Sequence, residues 1–122
     1  MKSIESIKDQ RLATILYEVK EEVLKLFGDK LEQLILYGSY AREEQDPESD
    51  IDIMILVDED EETLKSFRPK IIDIMTDLSL KYDTLISMAR KTYSHYTEYL
   101  DILPYYRSIN DEGVEIYGKK AA

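Results

Sequence analysis

Between Leu36 and Val57 the chain reads LYGSYAREEQDPESDIDIMILV, and two short groups within it have the residue types and spacing for chemistry. Asp50 and Asp52 stand two residues apart at the head of an apolar run. In a β-strand, residues i and i+2 point to the same face, so these carboxylates would stand side by side. Like charges so placed are costly unless they face water at a strand end or share a metal ion. Upstream, Gly38-Ser39 closes another apolar run. A glycine there lets the backbone turn sharply and a ligand approach, and the N–H groups and hydroxyl that follow can receive a phosphate. Either group alone is weak, since a Gly-Ser after a strand is usually a plain turn. A third acid, Asp83 in KYDTLIS, falls near the start of the next predicted strand. If that strand lies beside the one carrying Asp50 and Asp52, three carboxylates meet at one sheet end. Such an oxygen set suits Mg²⁺, which binds a few carboxylates together with substrate phosphates.

The elements that must position these residues can be read from periodicity. Leu12, Ile15, Leu16, Val19, Val23 and Phe27 recur at spacings of three and four, which predicts a first helix stopped by Gly28. Leu31–Tyr37 reads as a strand, SYAREEQ as one or two helical turns, and DPES as a turn. In DIDIMILV one face is wholly apolar, Ile51, Ile53, Ile55 and Val57, while the other starts acidic and becomes apolar. The acids of DEDEE suit a solvated helix start, and Pro69 predicts a kink or break in the helix that follows. YDTLISMA reads as a third strand, TYSHYTEYL and PYYRSINDEG as short helices, and VEIYG as a short last strand or an extended tail. The fold class is therefore α/β in the broad α+β sense: a small mixed sheet flanked by helices.

At 122 residues the chain is expected to form a single domain over 1–122. Its net charge of −10 argues against nucleic acid, where affinity rests on Lys and Arg neutralising phosphates. It favours divalent cations and a basic protein partner. Cysteine is absent, so thiolate chemistry and disulfides are excluded. The start, MKSIESIKDQ, lacks the apolar segment of a signal peptide, and no apolar run is long enough to span a membrane. A cytoplasmic location is expected, with the closing KKAA as a frayed tail.

The segment GSYAREEQDPESDID, running on into IMILV, resembles the signature of the nucleotidyltransferase superfamily related to DNA polymerase β. The short chain is similar to the minimal nucleotidyltransferase (MNT) antitoxins, over roughly Leu12 to Tyr117. The resemblance implies a polymerase β-like nucleotidyltransferase fold using ATP and two Mg²⁺ ions. Gly38 and Ser39 would hold the triphosphate, with Arg42 as a further nucleotide-binding candidate. Asp50, Asp52 and Asp83 would be the metal ligands and catalytic residues. It further implies a HEPN-type RNase toxin as partner, neutralised by transfer of AMP to a tyrosine. Members often carry glycine after the arginine of this loop, where this chain has Glu43.

Several residues have plainer readings. Arg42 could equally pair with Glu43 or Glu44 at the surface, and that reading is favoured. Ser49 reads as a turn residue. His95, the only histidine, lies at spacings that suggest an amphipathic helix face rather than catalysis. Six of the ten tyrosines lie between Tyr93 and Tyr117, suiting a protein interface or core margins equally. Two other functions compete: a non-catalytic antitoxin that masks a basic toxin by tight binding, and a nucleotidyltransferase acting on a small molecule.

Overall fold

A computed structural model describes residues 1–119, so most of the tail expectation for KKAA lies outside the described residues. The chain folds as β1 (Lys2–Ser3), α1 (Gln10–Phe27), β2 (Leu31–Tyr37), β3 (Ile51–Val57), α2 (Glu61–Ser66) and α3 (Arg68–Tyr82). Then follow β4 (Ile86–Thr92), α4 (Tyr93–Tyr99), α5 (Pro104–Glu112) and β5 (Val114–Gly118). The strands form one mixed sheet in the order β1-β5-β2-β3-β4. β2 is antiparallel to both β3 and β5, while β3 pairs β4 and β1 pairs β5 in parallel.

Local chemistry explains most boundaries. The Asp9 carboxylate accepts from the Arg11 and Leu12 N–H groups and starts α1, and Gly28 ends it at φ 55°. Asp60 caps α2 by accepting from the Thr63 N–H at 2.7 Å, so the acidic run does begin a helix. The expected interruption near Pro69 falls at Phe67, the shared cap of α2 and α3, and leaves Pro69 in the first turn of α3 where it costs no hydrogen bond.

Three expectations change. SYAREEQ forms hydrogen-bonded turns rather than a helix. The third strand starts at Ile86, not in YDTL, because the helix before it runs to Tyr82. The brief β1 was not foreseen: two exposed residues that carry no apolar alternation.

β3 sits inside the sheet and is covered on both faces. Ile51, Ile53, Ile55 and Val57 pack with α1 and α3, through residues such as Ile15, Val19 and Ile71. Met54 and Leu56 face the other way, with Ile35 of β2, and are covered by Tyr96 of α4 and by Tyr106 and Ile109 of α5. His95 belongs to this second layer: its Nδ1 lies 2.7 Å from the Tyr106 hydroxyl and its ring packs on Tyr99. Tyr96 and Tyr106 are therefore core residues, while Tyr93 and Tyr105 remain exposed. Burial pushes the Tyr96 hydroxyl up to about 12, so it stays a neutral phenol at physiological pH. Among the described residues no helix is long and apolar enough to cross a membrane.

Ile53 is fully buried at the centre of the first layer. Ile53→Ala should cost about 3–4 kcal/mol through lost burial and a residual cavity, read as a lowered midpoint in urea unfolding.

Candidate functional site

The pairing of β2 with β3 sets Tyr37 directly opposite Asp52. Strand alternation puts Asp52 on the same face as Met54 and Leu56. Those two are sealed under α4 and α5, whereas Asp52, at the strand's beginning, is only partly covered and Asp50 is exposed. The acidic start and apolar remainder of this face therefore mark where helical cover ends.

Gly38 follows Tyr37 at φ 78°, in the left-handed region that glycine enters without strain. A Cβ on Gly38 would overlap the Asp52 carboxylate. Both requirements, the backbone angle and the close approach, are met by glycine alone. The chain then turns back on itself: the Ala41 and Arg42 N–H groups donate to the Gly38 carbonyl at 3.1 and 3.2 Å, and that of Glu44 to the Ser39 carbonyl at 2.9 Å. Buried Ala41 anchors this turn to the first core. Glu43 leaves it at φ 57°. That is the position at which the resembled family often has glycine, and here a residue with a Cβ takes the strained angle.

The approach to Asp50 is organised by Asp46. Its Oδ1 accepts from the Glu48 N–H at 2.8 Å, and its own N–H donates to Ser49 Oγ at 3.0 Å. Ser49 is thus a turn residue, as its sequence position suggests. Arg42 donates from Nε to Glu44 at 2.6 Å, and its Nη1 lies 3.5 Å from Glu112 of α5. It is exposed and ion-paired at the surface while standing over the Gly38 loop.

A cleft of about 250 Å³ opens beside Gly38, lined by Tyr37, Arg42, Tyr105, Ser108, Ile109 and Glu112. The Tyr105 hydroxyl donates to that of Tyr37 at 3.1 Å, with the rings edge to face. Burial, then this hydrogen bond, pushes the Tyr37 hydroxyl well above the usual phenol range, so it remains neutral. The Asp52 carboxyl is raised as well, first by burial and second by the charge of Asp50, with Arg42 pulling weakly the other way.

The structure brings Gly38, Ser39, Arg42, Asp50 and Asp52 to one end of the sheet; Asp83 lies in the turn before β4 at that end but forms no three-carboxylate metal group with Asp50 and Asp52. Asp83 caps α3 in the left-handed conformation, φ 49° and ψ 45°. The register of β3 with β4 places Ser87 beside Asp52. Among the described residues, no group of three or more His, Cys, Asp or Glu side chains could hold a metal ion. Tyr37, Tyr105, Ser87 and Glu112 were not singled out in the sequence. Tyr37 left a signal there as the residue just before Gly38 in the predicted strand, and Tyr105 only as one of the tyrosines clustered from Tyr93 to Tyr117.

The family model described as nucleotidyltransferase domain matches residues 16–115. Three proteins of Methanocaldococcus jannaschii named as candidate protein adenylyltransferases are similar to this chain. One is 42% identical over 104 residues, covering 84% of this chain and 95% of its own length. The second is 32% identical, covering 75% and 83%, and the third 37% identical, covering 75% and 85%. Among solved structures, a toxin–antitoxin crystallised with AMP-PNP has a similar fold, with a TM-score of 0.57 and 18% identity over 86% of this chain and 74% of that one. A mutant of the toxin–antitoxin MntA–HpeT aligns with a TM-score of 0.56 and 16% identity over the same shares.

Two expectations follow from the site's local costs. Glu43→Gly should relieve the left-handed strain and stabilise the fold by about 1 kcal/mol, less the greater freedom of glycine in the unfolded chain, seen as a higher Tm. For Asp52 the folded carboxyl holds its proton more tightly than the unfolded one, so its ionisation weakens the fold as pH rises through the folded value. Asp52→Asn should therefore raise the Tm at pH 7, and the gain should fade below about pH 4, where the carboxyl is protonated in both states. Paired melting curves from pH 3 to 8 check the sign.

Proposed function

The chain belongs to the nucleotidyltransferase domain family and is a nucleotidyltransferase, and we propose that it acts as an antitoxin, transferring AMP from ATP to a tyrosine hydroxyl of a HEPN-type RNase toxin in the cytoplasm. The observation that carries this reading is the fit of the Asp52 carboxylate against Gly38, with Asp50 beside it and the cleft adjoining. Protein adenylyl transfer is supported by the names of the three similar archaeal proteins. A toxin as acceptor is supported by the fold shared with chains of toxin–antitoxin structures. The net charge of −10 suits a basic partner.

Asp50 and Asp52 fit a divalent cation on the chemistry of this site. They are oxygen donors on one face, and the burial and like charge that raise the Asp52 carboxyl are costs a cation offsets. Mg²⁺ is held by one or two carboxylates plus substrate phosphates, which two aspartates satisfy. When bound it would neutralise charge developing on the triphosphate.

The chain's own groups do the rest by positioning. Gly38 lets the triphosphate approach the backbone, and the Ser39 N–H and hydroxyl just beyond it donate to phosphate oxygens. Arg42, held only by exposed ion pairs with Glu44 and Glu112, can turn to the same oxygens. Tyr37, kept neutral by burial, forms an aromatic wall with Tyr105 beside the phosphates. In the transfer, the tyrosine oxygen bonds to the α-phosphorus, the α–β phosphoanhydride breaks, pyrophosphate leaves, and the phenolic proton is released to solvent.

Intact-mass spectrometry of the purified toxin after incubation with this protein and Mg-ATP tests the reading. The toxin should gain one or more AMP units, and none with the variant carrying Asp50→Ala and Asp52→Ala. A toxin that binds tightly yet gains no mass would replace this function with masking.

A further inference from the structure

We infer that the site holds its cation with two carboxylates only, that Asp83 is not a ligand, and that Ser87 fills the place beside Asp52 where a third acid would stand. This rests on the nucleotidyl-transfer reading and narrows it to one protein-held cation instead of two.

The argument is one of register. β3 and β4 pair in parallel without a shift from Ile51–Ile86 to Val57–Thr92, whereas both pairings of β2 contain irregularities. Ser87 lies on the face of β4 that carries Asp52 on β3, and it is half-buried. For Asp83 to take its place, β4 would have to slide by four residues, about 13 Å at the usual strand rise. That slide would draw Ile86 and Met88 out of the first core, where they are 0% and 3% exposed.

The segment is also clamped at both ends of the turn that precedes β4. The Thr84 N–H donates to the Ser79 carbonyl at 3.2 Å, and the Ile86 N–H to Ser79 Oγ at 3.0 Å. The Leu85 carbonyl accepts from the Ile51 N–H at 2.9 Å, tying this turn to the start of β3 itself. Asp83 is exposed and holds a left-handed angle that aspartate tolerates better than most residues, so its identity has a local explanation at the end of α3. Ser87 offers a neutral hydroxyl, a poor substitute for a carboxylate in binding a hard cation.

The experiment counts Mn²⁺, used in place of Mg²⁺, by native mass spectrometry and by paramagnetic resonance titration with a non-hydrolysable ATP analogue. One Mn²⁺ per chain is expected, unchanged in Asp83→Asn and lost in Asp52→Asn. Ser87→Asp should gain a second Mn²⁺. Two ions in the unsubstituted protein, or loss of the single ion in Asp83→Asn, would overturn the inference. Should Ser87→Asp fail to fold, the unsubstituted count and Asp83→Asn still decide it. Binding that persists undiminished in Asp52→Asn would instead remove the carboxylate pair from the proposed function and the inference with it.

Discussion

The close approach of the Asp52 carboxylate to Gly38, which leaves no room for a Cβ, constrains much of this end of the molecule. It requires β2 to end at Tyr37 opposite Asp52, so that the turn residue meets the acid and not the apolar residue on either side. It requires a positive φ at position 38, which throws the chain off the sheet and opens the cleft lined by Tyr37 and Tyr105. It also requires β3 to be immobile. That condition is met by burying Ile51 and the whole run from Ile53 to Val57 without remaining exposure. A carboxylate borne on such a strand is held in place by the core.

The stabilising and destabilising parts of the fold are spatially separated. Apolar burial is concentrated in the sheet and in α1, α3, α4 and α5. The costs collect within a short stretch: a desolvated Asp52 beside Asp50, a left-handed Glu43, and a cleft whose wall is made of two paired phenols. Strain and unfavourable charge of this kind persist where the surrounding structure over-determines them, and they characterise sites that act on a ligand. The raised Asp52 carboxyl is the clearest case, since a group proposed to hold the cation costs the fold stability at neutral pH.

What could be read in the sequence was what local periodicity encodes. The α1 stripe from Leu12 to Phe27, the alternation of Ile51, Ile53, Ile55 and Val57, and the glycine at 38 all express short-range rules, and the structure follows them. Glu43 stood out against its family resemblance, and its angle of φ 57° supplies the reason glycine suits that position. What could not be read depends on pairing between distant segments. Whether Asp83 or Ser87 stands beside Asp52 is decided by the parallel register, which leaves no trace in either strand alone. β4 starts four residues later than YDTLISMA suggests, because Asp83 looks like a strand acid and acts as a left-handed helix cap. The Tyr37–Tyr105 pair spans 68 residues and was equally invisible.

The place of β5 carries a consequence for how the chain acquires its structure. The last strand lies inside the sheet, between β1 near the amino terminus and β2, rather than at an edge. The two ends of the sequence must therefore meet before the sheet is complete, and Val114 and Ile116 must arrive before the first core is closed. Contacts of such long sequence separation slow the search for the native state. During synthesis the β2–β3–β4 half can form early, but its β2 edge stays open until Val114–Gly118 leave the ribosome. Over that interval the open β2 edge is exposed to pairing with a wrong strand.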